Sequence, residues 1–462
     1  MATPGPETPE RNTLWFLVSL GAALGITFLV NEPTFTDSQT YVLFLLFLAM
    51  GLWITEAVPP FAVGLLIIAF LVFALGNPWF NSEPQDIAKY VNTFSSSVIW
   101  LMLGGFFLAE AMTKTRLDAA LLGFTLRISG TRPRSILFGL MLTTMLASML
   151  MSNTACTAMV IAAVMPLLKN LGRDAPLTKA MLVGVPLAAS MGGMGTLIGT
   201  PPNLIASGTL ESANLPIDFV TWMYYGVPLA LLLTGMGWLV LVLFFVRDNT
   251  PVLLDLREPA EDDVTPEFER QRIITIVVAS VTLLLWMTSE WHGVRVAAIS
   301  AIPIVFLTMT RVIQGSDVRR LSWDTLLLVA GGLSLGLALQ ETGLLKHYAD
   351  GIAGLAVSRI AFLAIFAFAT MAFSNIMSHT ATSTVLIPLG MAILPSAQLE
   401  VALIVALASS TALLLPVSTP PNAIAYATGL LDQKDLRVGG IAVGLLGPAL
   451  IILWVLMLTR SV

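Results

Sequence analysis

Apolar residues in this chain come in long unbroken blocks, not in the alternating or one-sided patterns of a soluble fold. "LWFLVSLGAALGITFLV" (residues 14–30) and "VPLALLLTGMGWLVLVLFFV" (residues 227–246) are two of them. A hydrocarbon core of about 30 Å needs roughly 20 helical residues, so each block predicts a transmembrane helix and not a barrel strand. About 11 spans are predicted, near residues 14–30, 41–57, 61–76, 95–113, 178–208, 222–246, 273–290, 294–310, 324–341, 400–429 and 438–458. Two further apolar stretches, 135–168 and 359–396, carry polar triplets at their middles, "SNT" at 152–154 and "SHT" at 378–380. Each is predicted as a re-entrant hairpin that enters and leaves on one side, its tip lined by short polar side chains that supplement exposed backbone groups. The fold class is an all-α polytopic membrane protein.

Composition narrows the class further. The chain has 462 residues, 56% of them hydrophobic and 11% charged, with a mean hydropathy of +0.86, which excludes a water-soluble globule. The opening "MATPGPETPERNT" is polar, Pro-rich and without a basic n-region, so it reads as a short tail and not a signal peptide. A single cysteine, Cys156, excludes an internal disulfide, and the net charge of −5 argues against nucleic-acid binding. With 11 spans and two hairpins the termini lie on opposite faces. Lys89, Arg295, Lys346, Arg359 and Arg460 fall on the C-terminal face and the other 18 of the 23 Lys and Arg on the N-terminal one. That asymmetry predicts a cytoplasmic (inner) membrane placement with the N-terminus cytoplasmic and the C-terminus outside. The polar stretch 247–272 falls inside and reads as a linker between two halves.

Those halves repeat. "LMLGGFFLAEAM" from Leu101 resembles "LLLVAGGLSLGLAL" from Leu326, "MSNTACTAMV" from Met151 resembles "MSHTATSTVL" from Met377, and "IGTPPNLIASG" from Ile198 resembles "VSTPPNAIAYATG" from Val417. The pairs occur in one order, and an odd number of crossings separates them, so the repeat is inverted. Building one site twice in opposite orientations suits alternating access in a transporter. The motifs agree. Adjacent prolines remove two backbone donors, so helices should break at "GTPPN" (199–203) and "STPPN" (418–422), leaving free carbonyls near Gly199 and Ser418 and fresh half-helices near Pro201 and Pro420. Free carbonyls suit a small cation such as Na⁺, and half-helix N-termini suit a carboxylate. Oxygens of Ser148, Ser152 and Asn153 can face a cation, while the Asn153 amide and Thr154 hydroxyl can donate to an anion. No Lys or Arg lies in either tip or break, so an anion there is held by amides, hydroxyls, helix dipoles and co-bound cations, which favours small dianions.

Over essentially its whole length the chain resembles the divalent anion/Na⁺ symporter family, whose bacterial and animal members include INDY-type dicarboxylate and citrate transporters. The resemblance rests on "WITEAVP" (53–59), "LGGF" (103–106), "SNTACTAM" (152–159), "LIGTPPN" (197–203) and "STPPN" (418–422). It implies a homodimer in the lipid bilayer working by an elevator motion. The scaffold would comprise 1–134, which includes the tail, and 273–358, and the mobile transport domain 135–246 and 359–462. It also implies one Na⁺ site between Ser148, Ser152, Asn153 and Gly199, and a second between Ser374, Met377, His379 and Ser418. The anion would lie between them, held by Asn153, Thr154, His379 and Thr380, with Thr200, Pro201, Thr419 and Pro420 closing the pocket. C4-dicarboxylates such as succinate, malate and fumarate are the implied substrates, although citrate, 2-oxoglutarate and sulfate fit the same side chains. One departure matters: the family usually carries Asn where this chain has His379. Imidazole is a poorer ligand for a hard cation and titrates near neutral pH. Three readings follow: a second site on backbone carbonyls with His379 on substrate, proton coupling in place of the second Na⁺, or dicarboxylate exchange.

The remaining ionisable residues carry little. Glu56 and Glu110 sit at cytoplasmic span ends, where a structural role is expected, and His292 and His347 lie in turns without metal-ligand spacing. A hydrolase would need a base and an orienting acid. Ser378 or Thr380 beside His379 offers no acid, so no enzyme activity is expected. A channel would show a selectivity filter and not paired broken helices.

Overall fold

The computed structural model describes residues 9–82, 84–251, 265–353 and 358–459, and among these all regular structure is helical. Part of the predicted linker (252–264, with Arg257), the first residues of the tail (1–8) and Arg460 lie outside the described residues. The first half of the chain forms α1 (Pro9–Val30), α2 (Asp37–Thr55), α3 (Pro60–Gly76), α4 (Ser97–Lys114), α5 (Leu117–Ile128), α6 (Pro133–Ser148), α7 (Asn153–Leu171), α8 (Pro176–Gly193), α9 (Pro201–Ser212) and α10 (Phe219–Phe244). The second half forms α11 (Pro266–Met287), α12 (Ala301–Met309), α13 (Trp323–Glu341), α14 (Leu344–Ala353), α15 (Arg359–Ser374), α16 (His379–Ile393), α17 (Gln398–Ser409), α18 (Pro420–Ala427) and α19 (Gln433–Thr459), with single turns between some of them. Proline opens α3, α6, α8, α9, α11 and α18 in the first turn, where its missing N–H costs nothing.

Eight described helices are long and apolar enough to cross a membrane, and up to 9 count if the bent pair α16 and α17, turning by 110°, is taken as one span. The shortfall against 11 predicted spans has a local cause. Those near 178–208 and 400–429 are interrupted, as α8–α9 and α17–α18, and α3 together with the segment around α12 are short apolar helices. Two helices escaped the hydrophobic pattern. Each of α5 and α14 follows a Gly-Gly helix and leads into a hairpin, and at 12 and 10 residues neither is long enough to span.

Each predicted hairpin stretch forms two helices in contact, α6 with α7 and α15 with α16, and α7 at 19 residues is itself one of the helices long enough to span. The first packs on α8 and the second on α17. Beyond the breaks the partners exchange: α9 packs against α16 and α17, and α18 against α7 and α8. Each half thus completes the other. On the outside of this body α13 crosses α3 so closely that a Cβ on Gly331 would fall 2.3 Å from Gly64 Cα, while one on the next residue, Gly332, would fall 2.4 Å from Thr384 Cγ2 of α16. One glycine pair therefore lets α13 press on α3 and on the second hairpin at once.

Polar closures hold the helix ends. Asp317 accepts from Lys114 at 2.5 Å and from Arg320 at 2.6 Å, and Glu110 lies 3.8 Å from Arg320. Burial alone would raise the Asp317 carboxyl, but hydrogen bonds from Lys114, the Gln314 amide and Arg320 hold it below the usual carboxylate range. Arg173 pairs with Asp432 at 2.6 Å and Lys89 with Glu341 at 2.7 Å. Glu56 ends α2 in the left-handed conformation, at φ 50, and His292 fastens its own turn through Leu285 O and the Val294 amide.

Candidate functional site: two matched junctions of hairpin tip and broken helix

The polar triplets begin helices. Ser152 is the N-cap of α7 and accepts from Ala155 N at 3.2 Å, and Ser378 does the same for α16 with Ala381 N at 3.1 Å. A serine that caps fixes where the inward arm stops and the outward arm starts, and so sets the tip.

At the first junction Ser148 Oγ lies 2.7 Å from Asn153 Oδ1 and 2.8 Å from Ala189 O, two acceptors that share its single proton. The tip is thereby tied to α8. The break runs from Met194 to Thr200. Asn203 closes it from below: its Nδ2 donates to Gly193 O at 2.9 Å and to Thr196 O at 2.7 Å. Thr196 Oγ1 in turn donates to Met149 O of the tip. The packing here leaves no room for a side chain, since a Cβ on Gly193 would lie 2.5 Å from Asn153 Oδ1 of the tip and one on Gly199 2.4 Å from Gly193 O. Ser152, Gly199 and Pro201 line one cavity with Gly105 of α4 and Thr325 of α13. Its volume of about 60 Å³ is far below the roughly 300–1,000 Å³ of ligand pockets. Thr154 is exposed beside the tip, and Thr200, buried, opens α9 without capping it.

The second junction repeats the plan with different atoms. Asn422 Nδ2 donates to Leu413 O at 3.1 Å and Leu415 O at 3.0 Å, matching Asn203. Here the tip-to-break tie is Asn375, one residue past Ser374: its Oδ1 accepts from Leu414 N and from Ser418 Oγ, both at 2.9 Å. His379 Nε2 lies 3.4 Å from Ala412 O. Thr419 caps α18, its Oγ1 accepting from Asn422 N at 3.2 Å, while Pro420 is the first residue of that helix. Met377 is buried, and Thr380 is half-buried with its carbonyl accepting from Thr384.

The prolines do mark the starts of the fresh half-helices, Pro201 and Pro420. The breaks open well before them, at Met194 and Ser410, because the Asn side chains hold the preceding carbonyls out of helical register. Asn203, Asn422, Thr196 and Asn375 are the residues that sequence reading left out of the site. The two Asn of "TPPN" carried a signal in being matched across the repeat. Asn375 carried none, since Met149 stands at the corresponding place.

Both junctions suit a small cation by donor chemistry. They offer neutral oxygens and no charged side chain, and Asn203 Oδ1, Ser374 Oγ and Ser410 Oγ are buried without a hydrogen-bond partner among the described residues.

Comparison with known proteins adds a family. A model of the CitMHS family, described as citrate transporter, matches residues 50–412. The sodium-dependent dicarboxylate transporter SdcS of Staphylococcus aureus (strain USA300) is 29% identical over 437 residues, covering 87% of this chain and 82% of that protein. SdcS of strain NCTC 8325 matches over the same extent with the same identity. Among solved structures, MtrF of Neisseria gonorrhoeae superposes with a TM-score of 0.56 at 14% identity, covering 86% of this chain and 94% of that one. The YdaH transporter of Alcanivorax borkumensis gives 0.58 at 15%, covering 86% and 98%. At such identities these two show a shared fold and no more.

Proposed function

The chain belongs to the citrate-transporter family and is a multi-pass membrane transporter, not an enzyme, and from that premise we propose that it carries small dicarboxylates across the cytoplasmic membrane together with Na⁺. The observation that supports this most is the chemistry of the two junctions: helix starts at Pro201 and Pro420, carbonyls gathered by Asn203 and Asn422, and no lysine or arginine in either tip or break. A dianion buried there meets amides, hydroxyls and half-helix N-termini, which leave its charge only partly balanced. Co-bound cations complete the balance, so each charge lowers the cost of burying the other. The similarity to a sodium-dependent dicarboxylate transporter supports both the cargo and the ion.

In this reading Ser148, Ser152, Asn153 and Gly199 hold one Na⁺, and Ser374, Met377, His379 and Ser418 surround the second. Asn153, Thr154, His379 and Thr380 face a C4-dicarboxylate such as succinate, malate or fumarate, and Thr200, Pro201, Thr419 and Pro420 close over it. Residues 135–246 and 359–462 move as one body against a scaffold formed by 1–134 and 273–358, in an inverted-repeat elevator whose scaffold forms a homodimer. The N-terminus lies in the cytoplasm and the C-terminus outside. The ion pairs fit that division of the loops into two faces, since Lys114–Asp317, Arg173–Asp432, Lys89–Glu341 and Arg359–Glu400 each join two residues assigned to the same face.

A second reading has a specific observation behind it. His379 directs Nε2 at Ala412 O, so an imidazole N–H occupies a carbonyl that a cation would otherwise take, which favours proton coupling or exchange at the second junction.

The test is uptake of labelled succinate into proteoliposomes under an inward Na⁺ gradient, with a K⁺ control and a second arm preloaded with succinate. Na⁺-dependent accumulation in empty vesicles is expected. Uptake that ignores Na⁺ and requires internal dicarboxylate would make the protein an exchanger, and silence in both arms would move the cargo to citrate or sulfate.

A further inference from the structure

A second cavity, of about 340 Å³, lies away from both junctions and falls within the roughly 300–1,000 Å³ of small-molecule pockets. Four helices and the first residue of a fifth wall it: the end of α9, the second half of α13, the start of α14, the end of α16 and the beginning of α17. Thr209 and Pro388 line it, eight and nine residues beyond Pro201 and His379. At about 1.5 Å per residue, the chamber is therefore roughly 12–14 Å along those helices from the junctions.

The larger polar side chains of its lining gather at helix ends, while Thr209 lies further inside α9. Ser212 ends α9, Gln340 is one residue from the end of α13, Lys346 is in the first turn of α14 and Gln398 opens α17. Leu333, Leu337, Pro388 and Met391 lie further inside their helices. Polar side chains thus rim one end of the chamber, interleaved with Ala213, Leu345 and Pro395, and the rest of the lining is apolar apart from Thr209 and the Gly336 backbone. Lys346 is the one charged lining residue; it is exposed and makes no ion pair with another described side chain. An exposed lysine at the rim can keep its ammonium in polar surroundings while its stem covers apolar lining. A free dicarboxylate suits such a chamber poorly, since its second carboxylate would be buried against leucine and methionine without a partner. A single acyl chain with one carboxylate matches both linings.

We infer that this cavity binds a fatty-acid-type amphiphile, its carboxylate on Lys346 and its chain between Leu337 and Met391. Two walls, α13 and α14, belong to the proposed scaffold and two, α9 and α16, to the proposed transport domain, so an occupant spans the seam and slows transport. The slowing rests on the elevator reading, whereas the binding does not.

The experiment uses the full chain in vesicles with a diazirine-bearing dodecanoic acid and mass-spectrometric mapping of the label. Label is expected in residues 333–346 and 388–398, displaced by dodecanoate but not by dodecanol or succinate, and reduced about fivefold or more in Lys346→Gln and in the cavity-filling Met391→Trp, a loss worth about 1 kcal/mol. In a parallel uptake assay dodecanoate should lower Vmax without changing KM, with at least about fivefold weaker inhibition in Lys346→Gln, whose basal uptake should be unchanged. Label spread over the lipid-facing helices and equal in both variants would overturn the site. Displacement by dodecanol or succinate would overturn the carboxylate-amphiphile assignment, and labelling at the site with undiminished Vmax would overturn the pinning. Because labelling needs no substrate flux, a chain that fails to carry succinate still tests the binding.

Discussion

Removing the carboxamide of Asn203 strands Gly193 O and leaves Thr196 O with only its longer bond from Gly199 N, at 3.3 Å. Each buried acceptor left unpaired costs about 1–3 kcal/mol, so Asn203→Ala is expected to lower the unfolding temperature in detergent by several degrees and to reduce uptake at least about tenfold. Asn422→Ala should do the same, stranding Leu413 O and leaving Leu415 O to Ser418 N alone. Uptake unchanged in both variants would remove the Asn clamps from the site. His379 gives a prediction of a different kind. If its Nε2 contact with Ala412 O stands in for a cation, His379→Asn should add one Na⁺ to the coupling and steepen the Na⁺ dependence, read as a larger Hill coefficient for uptake. An unaltered Na⁺ curve would assign His379 to the substrate alone. "SNT", "SHT" and the paired "TPPN" were legible because short polar residues and prolines are costly inside an apolar run. Which carbonyls they capture depends on where the chain folds back, and that the local pattern does not encode.

Helix ends carry the next level of information. Asp317 is buried and gathers Lys114 of α4 and Arg320 just ahead of α13, joining the two Gly-Gly helices of the repeat at one face. Its carboxyl is held below the usual range, so the ionised form is the one the fold stabilises. That contribution is complete above the ordinary carboxylate pKa of about 3.9 and disappears as pH falls through the lowered native value. Asp317→Asn should therefore melt below wild type at pH 5 to 8, with the gap closing only in strong acid; a gap that closed near pH 6 would exclude this carboxylate as its source. Long spans and hairpins were legible at this scale because apolar blocks of about 20 residues have few other readings. The helices α5 and α14 were not, since each is too short for a span and its apolar residues merge with the preceding block. The breaks were placed correctly at their C-terminal ends and too late at their starts, because proline specifies where a helix resumes and says nothing of where the previous one lets go.

At the scale of the whole molecule the exchange of partners beyond the breaks has a mechanical consequence. With α9 on α16 and α18 on α7, each hairpin also packs on the other half's broken helix, so under the proposed elevator the two units are expected to travel as one body. The seam against which they would slide includes the contact of α9 with α13, where a Cβ on Gly208 would lie 2.9 Å from Leu333 Cδ2. Replacing both by cysteine, as Gly208→Cys with Leu333→Cys, places two thiols across that contact, and the one native cysteine, Cys156, is buried. Oxidation should then bring uptake to background and reduction should restore it. Leu187→Cys with Gly237→Cys, a close pair joining α8 to α10, lies wholly within the proposed moving body and should carry substrate when crosslinked. If the seam crosslink leaves uptake intact, transport does not require α9 to slide past α13, and access must alternate by rearrangement within the body itself. If both crosslinks abolish it, the body is not rigid, and the motion has to be sought at the tips, where Ser148 and Asn375 tie each hairpin to its broken helix.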